Sequence, residues 1–129
     1  MTTNQVGEAL RANTVARQII DRVGDKWTLL VISALGDGPL RFSHLKERVE
    51  GINQRMLTQT LRGLERDGIV VRSVYPTAPP RVEYGLTAVG GELLDVVTGI
   101  CSWTRRHLAA IEAARDDYDA RAARLARPL

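Results

Sequence analysis

SHLKERVEGINQRMLTQTLRGLERD (Ser43–Asp67) decides how the rest of the chain is read. Ser43 is placed to cap a short helix from His44 to about Glu50, with Leu45 and Val49 one turn apart on a narrow apolar stripe. Gly51 and Ile52 supply a tight turn, and Asn53 caps a longer helix from Gln54 to about Asp67, which Gly68 ends. Leu57, Leu61 and Leu64 fall at i, i+4 and i+7, one face of that helix. Away from the leucines lie Gln54, Arg55, Thr58, Gln59 and Arg62. No acid occurs from Asn53 to Leu64, whereas an ordinary solvated helix mixes charges of both signs.

Working toward the C-terminus, Ile69–Tyr75 and Arg81–Leu86 are two β-branched runs around a proline-rich tip, the pattern of a hairpin. Pro76, Pro79 and Pro80 cannot donate to a ladder and belong in the loop. Thr87 can cap a final long helical region. Its stripe of Val89, Leu93, Val96, Val97, Ile100, Trp103 and Ile111 is widened by Leu94, Cys101 and Leu108, with a break or bend expected near Gly99 or Ala114. A stripe that wide suggests burial against a second chain. Leu129 and its neighbours read as loose ends.

Toward the N-terminus, Leu40–Phe42 reads as one short strand after the breaker cluster Gly36-Asp37-Gly38-Pro39. Before it, Lys26–Leu35 is apolar nearly all round, the signature of a central core helix, with Asp25 as its cap. A further helix spans about Val6–Val23, with residues 1–5 frayed and Gly24 as a left-handed terminator.

The predicted order is helix, helix, short helix, turn, longer helix, two-stranded wing, helix. We read it as a mainly α fold with a small β-hairpin, a winged helix-turn-helix forming a single domain over residues 1–129. The helix-turn-helix covers residues 43–67 and the wing 69–86. Helices 6–23 and 88–125 are the expected dimerisation elements. In such a fold the short helix props the longer one, whose polar face fits the major groove of double-stranded DNA. Gln54, Arg55, Thr58 and Gln59 are the leading candidates for base contacts, with Asn53 able to pair with an adenine edge and Arg62 to grip a base or a phosphate. Arg41, Ser43 and the backbone N–H groups opening its helix are candidates for phosphate contact. The stiff wing tip, with Thr77 and either Arg81 or Arg72, is a candidate for phosphate or minor-groove contact. The alternatives are an amphipathic surface helix, as in a protein-interaction module built on a winged helix, and a single-strand binder. Aromatics make up only 5% of the chain, too few for the stacking surfaces that single strands require.

Charge and composition bound these readings. The 129 residues carry a net charge of +3. Between Arg41 and Arg81 lie eight Lys/Arg against four acids, so this stretch is +4 and the remainder −1. That asymmetry suits a polyanion, and a solvated charged face is the competing explanation. The lone Cys101 excludes an intrachain disulfide and reads as a buried, inert thiol. His44 and His107 have no cysteine at ligand spacing, so no metal or cofactor is expected. No phosphate loop, nucleophile elbow or catalytic carboxylate pair is present, which argues against an enzyme. No secretory signal or apolar span is visible, so a cytoplasmic protein is expected. Trp27, Val97 and Trp103 are candidates for a pocket holding a small aromatic effector.

GDKWTLLVISAL (Gly24–Leu35), GPLRFSHLKERVEGINQRMLTQTLRGLERDGIV (Gly38–Val70) and VYPTAPPRVEYGLTAVG (Val74–Gly90) occur in this order within Thr14–Trp103. The ordered set resembles the HxlR family of winged-helix regulators. The resemblance implies a homodimer joined through its terminal helices and acting on a palindromic or pseudo-palindromic operator. In some members it also implies sensing of oxidants, quinones or aldehydes through a cysteine ahead of the core helix. Counted back from Trp27, that cysteine position falls on Thr14, which has no thiol chemistry, so the cysteine switch is not carried over.

Overall fold

The computed structural model describes residues 2–127. Its elements are α1 (Thr3–Val23), α2 (Lys26–Leu35), β1 (Leu40–Arg41), α3 (Phe42–Arg48), α4 (Gln54–Arg66), β2 (Val70–Tyr75), β3 (Arg81–Leu86) and α5 (Ala88–Ala126). They form two compact units, Met1–Val97 and Thr98–Leu129. The architecture is the mainly α winged helix, with a three-stranded antiparallel sheet in the order β1-β3-β2.

The first unit is built around α2. Val31, Ile32 and Leu35 are fully enclosed, as expected of a helix apolar nearly all round. Around them pack Leu45 and Val49 of the α3 region, Ile52 of the turn, Leu57, Leu61 and Leu64 of α4, and Ile69 and Val70 at the start of the wing. At about 25 cal/mol per Å² of apolar surface removed from water, this cluster is the main force holding α3 and α4 in place. Asp25 caps α2 through its carboxylate, which accepts the Trp27 N–H at 3.3 Å.

The short strand expected at Leu40–Phe42 forms as β1 (Leu40–Arg41) and joins the hairpin as a third strand. Leu40 and Arg41 pair with Tyr84 and Glu83 across β3. Phe42 leaves the strand and opens α3, because its half-buried ring packs on the core with Leu45 and Val49 along one helical face. Arg41 therefore takes the N-cap position, without a side-chain cap bond, and Ser43 lies inside the first turn instead of capping it. All three prolines of the wing tip sit between β2 and β3.

Two further local expectations change. α1 starts at Thr3, because Thr2 and Gln5 form a capping box: the Thr2 hydroxyl accepts the Gln5 N–H at 3.2 Å and the Gln5 amide oxygen accepts the Thr2 N–H at 2.9 Å. Apolar periodicity begins only at Val6 and does not report such a cap. Gly24 ends α1 in right-handed geometry at φ −71°, not in the left-handed region.

Thr87 joins the wing to α5. Its hydroxyl donates to the Gly68 carbonyl at 2.6 Å and accepts the Gly90 N–H at 3.0 Å, which caps α5. A Cβ on Gly90 would overlap the Ile69 carbonyl oxygen, so the helix can cross the start of β2 this closely only with glycine there.

In the second unit α5 continues as helix to Ala126, without a break at Gly99 or Ala114. Trp103 lies against His107 with ring centroids 5.3 Å apart. Cys101 is exposed, contrary to the buried thiol expected, because its helical stretch finds no covering element within its own unit. Leu129 lies outside the described residues.

Candidate nucleic-acid interface

The turn between α3 and α4 is set by Gly51, whose φ of +90° few side chains tolerate, and by Ile52, whose side chain is buried in the core. Asn53 then caps α4: its side-chain oxygen accepts the Met56 N–H at 2.8 Å. That bond leaves both N–H donors of the Asn53 amide available to a ligand.

Because Leu57, Leu61 and Leu64 point into the core, the opposite side of α4 is turned outward. Gln54, Arg55, Thr58, Gln59 and Arg62 together border one depression of about 510 Å³. Arg55 and Arg62 are exposed and join no ion pair among the described residues. The face therefore offers two unengaged guanidiniums, two amides and a hydroxyl, a donor-rich set suited to an acceptor-rich polyanion such as duplex DNA.

A second notch, of about 260 Å³, lies between α4 and the wing and is lined by Thr58, Leu61, Arg62, Glu65, Arg72 and Tyr84. Arg72 on β2 and Tyr84 on β3 are cross-strand partners, which brings both to the flank of α4. The notch singles out Arg72 from the two wing arginines. Arg81 is held within the hairpin: its Nε lies 3.4 Å from Glu83 on β3 and its guanidinium 4.6 Å from the ring centre of Tyr75 on β2. Thr77 donates its hydroxyl to the Pro79 carbonyl at 2.7 Å, so within the loop it retains only acceptor capacity. Tyr84 escaped the sequence reading, since its position beside α4 arises from strand pairing and carries no local signal.

Arg41 and Ser43 are exposed at the start of α3, a helix of only seven residues. Trp27 packs against the core and its ring edge lies 3.5 Å from the place a Cβ on Gly51 would take. Val97 is buried at the end of the first unit, and Trp103 is half exposed in the second. No group of three potential metal ligands occurs among the described residues, and no described helix is long and apolar enough to cross a membrane.

A three-stranded sheet beside a helical pair whose second helix exposes a cationic, amide-rich face defines the winged helix-turn-helix class of transcriptional regulators. Within that class the chain belongs to the HxlR-like helix-turn-helix family, which it matches over residues 22–112. It is 46% identical over 88 residues to an uncharacterized HTH-type transcriptional regulator of Methanothermobacter thermautotrophicus, covering 68% of this chain and 67% of that one. Among solved structures it is similar to the putative transcriptional regulator ytfH from Salmonella typhimurium, at TM-score 0.65 and 38% identity over 78% of this chain and 90% of that one. It is also similar to the redox regulator HypR in its oxidized form, at TM-score 0.64 and 40% identity over 70% of this chain and 94% of that one. The protein is a transcriptional regulator of helix-turn-helix type with DNA as its partner.

Proposed function

We propose that the protein acts as a homodimer that reads a palindromic or pseudo-palindromic operator in double-stranded DNA, repressing or activating according to where that operator lies. The observation that carries this reading is the common depression bordered by Gln54, Arg55, Thr58, Gln59 and Arg62, back to back with three buried leucines. Gln54, Arg55, Thr58 and Gln59 would contact base edges, as the N-terminal part of a recognition helix usually does. Arg62 and Arg72 would follow the backbone, with Arg41, Ser43, Thr77 and Arg81 more remote candidates.

The dimer draws support from two exposed apolar stripes. On α1, Val6, Leu10 and Ile20 share one face and are open to solvent, with Leu10 63% exposed and Ile20 64%. On α5, Val89, Val96, Ile100, Trp103 and Leu108 are likewise uncovered. Apolar residues aligned at helical spacing and left in water mark an association surface. Two copies paired there would present α4 to successive major grooves about 34–36 Å apart.

Regulation by a small aromatic or oxidant effector is compatible with the likeness to a redox regulator. A thiol at position 14 is not the route: Thr14 stands there, its hydroxyl donating to the Leu10 carbonyl at 3.0 Å.

The test is selection of duplexes from a randomised pool, followed by binding of the winner, a random duplex and a single strand over a range of salt. The winner should be bound best, and log K should fall with log salt by about 0.9 for each phosphate contacted. Equal affinity for all three probes would refute the reading.

A further inference from the structure

We infer that Arg22, at the end of α1, is a positioning residue for DNA reading: it latches the C-terminal half of α4 through a notch at Gly63 and an ion pair with Asp67. The inference rests on α4 being the DNA-reading helix.

Three observations converge. First, the Arg22 guanidinium occupies the space beside Gly63 that any other residue would fill. A Cβ built on Gly63 overlaps Arg22 Nη1 and lies 3.2 Å from Cζ. Gly63 is not there for backbone freedom, since it sits inside α4 with φ outside the left-handed region. Glycine inside a helix weakens it relative to alanine, so a packing reason is called for, and the guanidinium supplies one. Second, Arg22 Nε faces Asp67 Oδ2, with the two side chains 28% and 19% exposed. It is the most buried ion pair among the described residues, whereas isolated surface pairs contribute little. Third, the flank of α4 toward α1 is otherwise open: a surface depression of about 440 Å³ bordered by Asp21, Arg22, Asp25, Thr28, Gln59 and Thr60 lies there.

The consequence follows from geometry. Leucines on one side of α4 set its depth in the core, but their contacts tolerate a small roll about the helix axis. A planar guanidinium wedged beside Gly63 and ion-paired with Asp67 resists that roll. Gln59 lies one turn before Gly63, so a roll would move the base-reading side chains directly. Arg22 itself touches no DNA in this arrangement. It also ties the reading helix to α1, the element that carries one of the two exposed apolar stripes.

The experiment compares the wild type with Arg22→Ala, Gly63→Ala and the double variant. The probes are a duplex selected by the wild type from a randomised pool and a random duplex of equal length, each at several salt concentrations. Both single variants should lose about tenfold in preference for the selected duplex, with the slope of log K against log salt unchanged. The double variant should lose no more than either single one, because both changes disable the same contact. Gly63→Ala separates positioning from unfolding: on helix propensity it should keep or raise Tm while preference falls. Full preference in folded Gly63→Ala would overturn the latch. So would an Arg22→Ala loss accompanied by a slope shallower by about 1, since Arg22 would then be touching a phosphate. A wild type that selects no duplex would instead bring down the DNA-reading assignment of α4, and the latch with it.

Discussion

Arg55 is open to solvent because Leu57, Leu61 and Leu64 are not: the leucines anchor the opposite side of α4 in the core. Replacing it with alanine should cost about 1–3 kcal/mol of discrimination for the selected duplex, measured by fluorescence anisotropy against a random duplex. Unchanged preference would place Arg55 away from the bases. Asn53 is different in kind, because its side-chain oxygen is occupied in capping α4. Asn53→Ala should therefore lower stability by about 1 kcal/mol in a urea titration, whether or not DNA is present. Residue identity and periodicity were enough to find the α4 face. They did not separate Arg72 from Arg81, because which arginine faces α4 depends on strand register and on the pairing of Arg81 with Glu83 and Tyr75. Ser43 was misread as a cap for a related reason. The competing signal was the burial of Phe42, one residue earlier, which moved the start of the helix.

Among the elements, α2, α4 and the wing match their sequence patterns closely, since each is announced by a cap, a periodic stripe or a proline-rich loop. β1 reads as a short strand in sequence, but its place in the sheet is decided by its partner: Leu40 and Arg41 pair with Tyr84 and Glu83, more than 40 residues away. The junction of wing and α5 depends equally on long-range contact. Thr87 was visible as a cap, but its bond to the Gly68 carbonyl and the crossing of Gly90 over Ile69 were not. Because the atom opposite Gly90 is backbone oxygen and cannot rotate away, Gly90→Ala should destabilise the fold by about 1–3 kcal/mol. A thermal melt indistinguishable from wild type would show that the crossing relaxes freely.

For the molecule as a whole, the uneven charge and the uncovered apolar stripes belong to different segments of the chain. The positive excess lies between Arg41 and Arg81, which include α3, α4 and the wing. The stripes lie on α1 and α5. Changes on each should be separable. Leu10→Glu and Ile100→Glu alter residues 63% and 59% exposed in the single chain, so neither should unfold it. If these faces pair two copies, each substitution should shift sedimentation from dimer toward monomer while the far-ultraviolet circular dichroism stays unchanged. A dimer that withstands both would assign its interface to another face.

Local chemistry decided the identity and order of nearly every element, the buried leucine row of α4 and the cationic amide-rich face opposite it. These follow from side-chain spacing at 3.6 or 2 residues per turn and from caps within a few positions, all contained in contiguous stretches of chain. Only the folded chain decided that Arg72 and Tyr84 flank α4, that Arg81 is held between Glu83 and Tyr75, that Thr87 ties two segments together and that Arg22 fills the space left by Gly63. Each of those depends on residues distant in sequence meeting at one register and one crossing. The packing of the shared core sets that meeting, and no single segment encodes it.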